Sequence, residues 1–293
     1  MSLQIKQLGP GFAGEVSGLD LTKPLSGETY AAIHAAMDKY AVLVFHGQDF
    51  TDDTQLSYTQ GLGSLETARG FTLRDRDRLA SPHFADVSNL DKDGKVMERN
   101  SRTWQFAIGN RLWHSDSSFK RIPAKYSLLH ARALPSKGGN TEFANMRLAW
   151  ESFDKETQDF CEPLICEHSQ MYSRARLGFI EFSPEERERF KPVLQRLVRV
   201  HPSTGKKSIY LSSHAGKIIG WPEPEAKAFL LDLTEQATQR EFVYSHKWQV
   251  GDLVMWDNQQ TMHRARPFPA NEPRDVRRTT VMGDAPTVEQ QAA

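Results

Sequence analysis

The chain has 293 residues, 39% of them hydrophobic and 25% charged, a size and composition that suit a globular fold with a buried core. Lys plus Arg and Asp plus Glu both number 37, so no net charge draws the chain towards nucleic acid or an anionic membrane surface. Two cysteines, Cys161 and Cys166, are too few for a disulfide framework or a zinc ribbon, and neither an apolar leader nor a run of about 18 apolar residues is present. The expectation is a cytoplasmic protein with no nucleic-acid and no membrane partner.

Residues 27–40 carry apolar side chains at helical spacing among good helix formers and predict a helix. The run Ala-Val-Leu-Val-Phe at 41–45 is short, β-branched and closed by His46-Gly47, which predicts a buried strand. Residues 51–62 predict a second helix, with Thr51 or Asp52 as its N-cap. Strand-like runs follow at 84–90, 126–133, 141–144, 197–200, 208–211, 247–250, 252–256 and 278–282, with a hairpin turn signal at Asp91-Lys-Asp-Gly94. Helices are expected at 146–161 and 223–238, the second opened by Pro222 and Pro224.

Strands and helices do not alternate one for one, which argues against a doubly wound parallel sheet. Many short strands with Gly and Pro turns instead predict a mainly β fold with peripheral helices (α+β), of the double-stranded β-helix or jelly-roll type. No linker rich in Gly, Ser or Pro divides the chain. Residues 1–293 therefore read as a single domain with helical insertions and a short polar tail after Asp284.

The sharpest chemical feature is Leu112-Trp-His-Ser-Asp-Ser-Ser-Phe119. If this segment is a strand, His114 and Asp116 point to the same face and converge on one ion. A third ligand, His263, follows the apolar run that ends at Trp256. Two imidazoles and one carboxylate on one side of a metal leave adjacent positions open, the arrangement of non-haem iron(II) oxygenases. A lone His-x-Asp also occurs where a core imidazole simply bonds to a carboxylate, so the pattern needs support. Five arginines follow His263: Arg264, Arg266, Arg274, Arg277 and Arg278. Such a run is usually a solvated face, but an arginine entering a barrel offers a planar fork for a carboxylate.

At this point the sequence resembles the iron(II)- and 2-oxoglutarate-dependent dioxygenases of the taurine dioxygenase superfamily, and more closely the 2,4-dichlorophenoxyacetate dioxygenase branch. The likeness runs through Gly14–Leu21, Ala41–Gln48, Asn110–Phe119, Gly138–Phe143, Ala237–Tyr244 and Gly251–Asn258. It implies iron ligation by His114, Asp116 and His263, with 2-oxoglutarate and O₂ as co-substrates. It implies that Thr141 and Arg274 bind 2-oxoglutarate, and that Arg278 lies near the iron and holds a co-substrate or substrate carboxylate. Asn140 stands where close relatives are expected to have Asp. For a small aryloxy carboxylate substrate the implied contacts are Arg278, His214, Lys95 and His201, with Met171, Tyr172 and Phe179 as candidate pocket walls. A homo-oligomer is common in that family, and the charged stretch 174–190 is a candidate lid. Two other readings stay open: the same chemistry on taurine, another sulfonate, a sulfate ester or another small carboxylate, and a jelly-roll metal-binding protein without redox activity.

Overall fold

The computed structural model describes residues 3–68, 70, 73 and 78–289. Its first hairpin, β1 (Gln4–Gln7) and β2 (Gly14–Ser17), is followed by helix α1 (Gly27–Tyr40), whose bounds match the expectation. Ser26 caps α1 by accepting from the Thr29 N–H, and the chain turns out of the helix at Ala41 with φ 60°. That turn delivers the apolar run into β3 (Val42–Phe45), buried along its length and parallel to β2. Thr51 caps α2 (Asp52–Leu62), and the Thr54 hydroxyl accepts from the Thr51 N–H in return.

In the middle of the chain the pattern is less regular than its composition suggests. The run at 84–90 shortens to β4 (Ala85–Asp86), after which Leu90 bridges Val96 around the expected hairpin turn. Helix α3 (Arg102–Ala107) and a 3-10 turn, Ile108–Arg111, lead to the His-x-Asp segment. β5 (Ala124–Ala133) and β6 (Thr141–Asn145) lie where expected. The single helix expected at 146–161 is two, α4 (Met146–Ser152) and α5 (Lys155–Cys161). Asp154 takes an extended backbone between them and caps the second by accepting from the Thr157 N–H.

Beyond Cys161 come β7 (Ile165–His168), α6 (Gln170–Ala175), α7 (Pro184–Arg189), β8 (Val193–Arg196), β9 (Val198–Val200), β10 (Lys207–Ile209) and β11 (Ala215–Ile218). Helix α8 (Glu223–Ala237) follows as expected. The strand expected at 247–250 is displaced to β12 (Val243–His246), because the buried Asp252 carboxylate accepts from the Gln249 N–H and curls the intervening chain. β13 (Leu253–Asp257), β14 (Thr261–Ala265) and β15 (Asp275–Met282) complete the strands. The polar tail is not loose as far as it is described: the buried Thr287 hydroxyl donates to Gln195 and accepts from the Arg196 N–H.

The main sheet has the order β1-β2-β3-β13-β5-β15-β4, and a three-stranded sheet has the order β12-β6-β14. Strand alternation divides the main sheet's side chains between two cores. Leu43, Phe45, Tyr126, Leu128, Leu253, Met255 and Val281 face helices α1 and α2. Val42, Val44, Leu129, Ala131, Val254, Trp256 and Val276 face inwards, where Phe143 of β6 joins them. On the inner face Ser127 pairs with Trp256, and Arg278 with Leu129. This register places a serine, a tryptophan and an arginine on the one face that also meets β14. No helix among the described residues is long and apolar enough to cross a membrane.

Candidate metal centre and active site

His114 and His263 are brought together by backbone pairing, not by a shared strand with Asp116. The two residues form an antiparallel bridge, exchanging N–H···O bonds of 3.0 and 2.8 Å, and their rings stand 4.2 Å apart. Residues 116–119 are a turn, with Ser117 at φ 54°, so the extended segment expected across 112–119 is confined to the neighbourhood of His114. Asp116 swings back into the site through that turn. Glu66 supports it by accepting from the Ser117 hydroxyl at 2.7 Å. His263 is on β14 itself, not beyond a strand, opposite Phe143.

One ligand atom from each of His114, Asp116 and His263 lies within 4.8 Å of the others, and all three residues are buried. Their partners fit a metal. His114 Nδ1 donates to the Leu112 carbonyl at 2.8 Å, which leaves Nε2 as a lone pair facing Asp116. Burial lowers the pKa of both imidazoles and keeps them neutral, the form that binds metal. Burial pushes the Asp116 carboxyl up. The guanidinium of Arg278, the two imidazoles and the Ser127 hydroxyl outweigh this and hold it down at about 2. Behind it Ser127 donates to Oδ2, Asn258 donates to Ser127, and the Asn258 carbonyl accepts from both the Asp116 N–H and the Trp256 indole.

The arginine run divides by partner. Arg264 and Arg266 pair with Glu142, and Arg277 pairs with Asp52 and Asp275, so three of the five are structural. Arg278 donates to Asp116 Oδ1. Arg274 differs from all of them. It is 3% exposed, has no carboxylate partner among the described residues, and its Nε bonds to nothing. Burial alone draws it down to about 10, so it remains a cation at neutral pH. A buried, uncompensated guanidinium implies an anionic ligand, because an isolated charge in an apolar setting is costly. Thr141 shares a cavity with Arg274, His114, His263 and Arg278, and its hydroxyl accepts from the Trp248 indole at 3.0 Å.

Residues 4–280 match the model of the taurine catabolism dioxygenase TauD, TfdA family. The chain belongs to that family. It is accordingly a 2-oxoglutarate-dependent non-haem iron dioxygenase. It is 40% identical over 285 residues, 97% of this chain and 99% of the other, to an alpha-ketoglutarate-dependent 2,4-dichlorophenoxyacetate dioxygenase of Cupriavidus pinatubonensis. It is 31% identical to an (S)-phenoxypropionate/alpha-ketoglutarate-dioxygenase of Delftia acidovorans, over 93% of this chain and 92% of the other. The crystal structure of AAD-2 in complex with Mn(II) and N-oxalylglycine superimposes with a TM-score of 0.96 at 56% identity, covering 98% of this chain and all of that one.

The remaining expected substrate contacts of this family member separate sharply. His214 lies on the wall of a second cavity, with His114, Asp116 and Arg278, and its ring is 5.8 Å from that of His114. Lys95 does not reach the site: it is exposed on the hairpin, where its backbone closes the turn. His201 is also a correction. It is buried under the β13–β14 turn, bonded to Asp257 at 2.7 Å and to Ser203 at 3.1 Å, and so holds the connection that carries His263. Tyr172 bonds Glu167 outside the site cavity, while Met171 and Phe179 pack against the apolar cluster of Leu73, Phe106, Phe182 and Phe190. That stretch is fastened by Phe182 and Phe190 against Phe106, and by an Arg102–Glu186 fork.

Sequence reasoning missed Ser127, Asn258, Trp248 and Arg174. Asn258 had a signal, standing at the end of the Gly251–Asn258 block beside the apolar strand. Arg174 was legible only as the first residue of the charged stretch 174–190, because nothing local distinguishes a buried charge from a solvated one.

Proposed function

We propose that the protein hydroxylates the carbon between the ether oxygen and the carboxylate of an aryloxyalkanoate. The hemiacetal so formed falls apart to a phenol and, from an oxyacetate, glyoxylate. One atom of O₂ enters the substrate, and the other enters 2-oxoglutarate as it loses CO₂ to become succinate. The observation that carries this reading is the second cavity. Leu73, Phe106, Ala107 and Phe119 give it an apolar wall for an aromatic ring, while His114 and Asp116 lie at one side and guanidiniums lie within reach. Relatives named for 2,4-dichlorophenoxyacetate and (S)-phenoxypropionate agree with it.

In this reading His114, Asp116 and His263 hold iron(II), which when bound activates O₂ for attack on the substrate. Arg274 and Thr141 receive the far carboxylate of 2-oxoglutarate, and the buried pocket around them excludes water from the reacting end. The orphan charge of Arg274 speaks against a metal site without redox function, which needs no second carboxylate anchor. No side chain has to act as a general base.

The same reading takes the fold as a double-stranded β-helix acting as one domain over residues 1–293. Strands from both ends of the chain share the main sheet, and the site lies where that sheet meets β14, which supports it. The test is succinate formation with iron(II) and 2-oxoglutarate against phenoxyacetate, phenoxypropionate and taurine. Stimulation by the aryloxy acids with phenol release is expected. Stimulation by taurine alone would overturn the substrate assignment.

A further inference from the structure

Arg174 is a second buried cation without a counter-ion among the described residues, and it lines a different cavity beside the metal ligands from the one that holds Arg274. It is 4% exposed on α6 and lines the cavity that also holds His114, Asp116 and His214. Burial lowers its guanidinium to about 9, with no acidic neighbour opposing the effect. Its position is closely defined. Nε donates to the Phe106 carbonyl at 3.1 Å and Nη1 to the Ser173 hydroxyl at 2.9 Å. The Phe106 ring lies against it, with its centroid 4.2 Å from Cζ. Gly109 touches it too, so closely that a Cβ there would come within 2.5 Å of Cζ. Nη2 has no hydrogen-bond partner among the described residues and is not among the buried unpaired atoms, and Arg174 lines the cavity. Five N–H donors in a rigid plane, three of them unspent, form a ready fork for a carboxylate.

The neighbouring candidates for that task are otherwise engaged. Arg278 donates to Asp116, so its charge is already balanced by a metal-ligand carboxylate. His214 faces a hydroxyl with only one proton to give. Ser173 Oγ donates to the Gln170 carbonyl at 2.9 Å and accepts from Arg174, so its contact with His214 Nδ1 at 3.0 Å requires that nitrogen to donate. The other nitrogen of a neutral His214 is then a lone pair, which repels a carboxylate. Asp86, on the same cavity wall, is paired with Arg78.

We propose that Arg174 is the anchor for the substrate's carboxylate, held in place by Phe106, Ser173 and Gly109 so that the carbon next to that carboxylate faces the metal ligands. Ser173 and Gly109 are positioning residues, and His214 orients the cavity wall through Ser173 without touching the anion. The proposal rests on the aryloxyalkanoate reading, but it can fail separately.

The decisive variants are Arg174→Gln and Gly109→Ala. Gly109 has an ordinary backbone conformation and the atoms a methyl would meet are the guanidinium end of Arg174, so the second variant is expected to displace the charge from its place without removing it. Binding of phenoxyacetate and of 2-phenoxyethanol, the same ether without the carboxylate, is measured calorimetrically on anaerobic protein loaded with iron(II) and 2-oxoglutarate. Turnover is measured separately as succinate. Arg174→Gln is expected to weaken phenoxyacetate on the order of 100-fold. Phenoxyethanol and the KM for 2-oxoglutarate should stay within about threefold, a split that a merely structural role does not produce. Gly109→Ala should weaken phenoxyacetate by about tenfold with the same selectivity, and it decides the matter alone if Arg174→Gln does not fold. Unchanged phenoxyacetate binding in either folded variant, or equal losses for both ligands, overturns the assignment. So does wild-type protein that binds phenoxyacetate no more tightly than phenoxyethanol. Wild-type protein that binds phenoxyacetate tightly but never hydroxylates it overturns the proposed function and leaves Arg174 as a carboxylate site.

Discussion

Replacing Arg274 by Met separates stability from function at one residue. Burial lowers this guanidinium from 12.5 to about 10 with no acid to offset it. At about 1.4 kcal/mol per pH unit, holding the cation there costs the ligand-free protein on the order of 3 kcal/mol. Met keeps the apolar stem and removes the charge. The weak contact to the Val87 carbonyl at 3.4 Å and the stacking on Phe268 are lost with it, which offsets part of the gain. Arg274→Met should therefore melt higher than wild type by a few degrees, given roughly 1–2 °C per kcal/mol for a chain of this size. With 2-oxoglutarate the sign reverses. Losing one partner of a buried charge pair costs about 2–5 kcal/mol, or roughly 30- to several thousand-fold in affinity. The assays are calorimetric melting without ligand, and the 2-oxoglutarate dependence of succinate formation with iron(II) saturating. A variant that melts lower and keeps its 2-oxoglutarate dependence would refute the reasoning and make Arg274 a structural residue.

His114→Ala and Asp116→Ala should each abolish iron(II)-dependent succinate formation, and full turnover in either would sink the metal assignment. Asn258→Ala should weaken iron(II) binding by about 10- to 100-fold, because Asn258 fixes both the Asp116 N–H and the serine behind its carboxylate; equilibrium dialysis reads this directly. His201→Ala leaves the Asp257 carboxylate buried beside a void and should cost about 2–4 kcal/mol in urea unfolding, with KM for both substrates unchanged. Burial raises the Asp275 carboxyl, but the guanidiniums of Arg78 and Arg277 draw it below its ordinary 3.8. Its stabilising effect is therefore complete above that value and is lost as pH falls through the lowered folded one. The stability gap between wild type and Asp275→Asn should be widest near neutrality and close below about pH 4, as denaturation at a series of pH values would show.

Much of this protein is legible in its sequence, and the reason is locality. The bounds of α1, the Thr51 cap of α2 and the hairpin at Asp91–Gly94 follow from spacing, capping and turn chemistry within a few residues. The ligand trio could be named because a His-x-Asp and a later histidine sit in quotable blocks. The mechanism of their convergence could not, since the bridge between His114 and His263 joins positions 149 apart and Asp116 arrives by a turn, not by a pleat. Partnership was hidden in the same way. Five arginines in 15 residues look alike, and only packing shows that Glu142, Asp52 and Asp275 neutralise three of them while Arg274 has no carboxylate partner among the described residues. His201 and His214 were equal candidates by residue type; one bonds to a buried aspartate under a turn and the other faces the metal ligands. The sequence by itself determined which side chains with metal and carboxylate chemistry exist and where chain direction changes. Burial and counter-ions, which depend on residues far away along the chain, decided which of those charges remain available for a ligand.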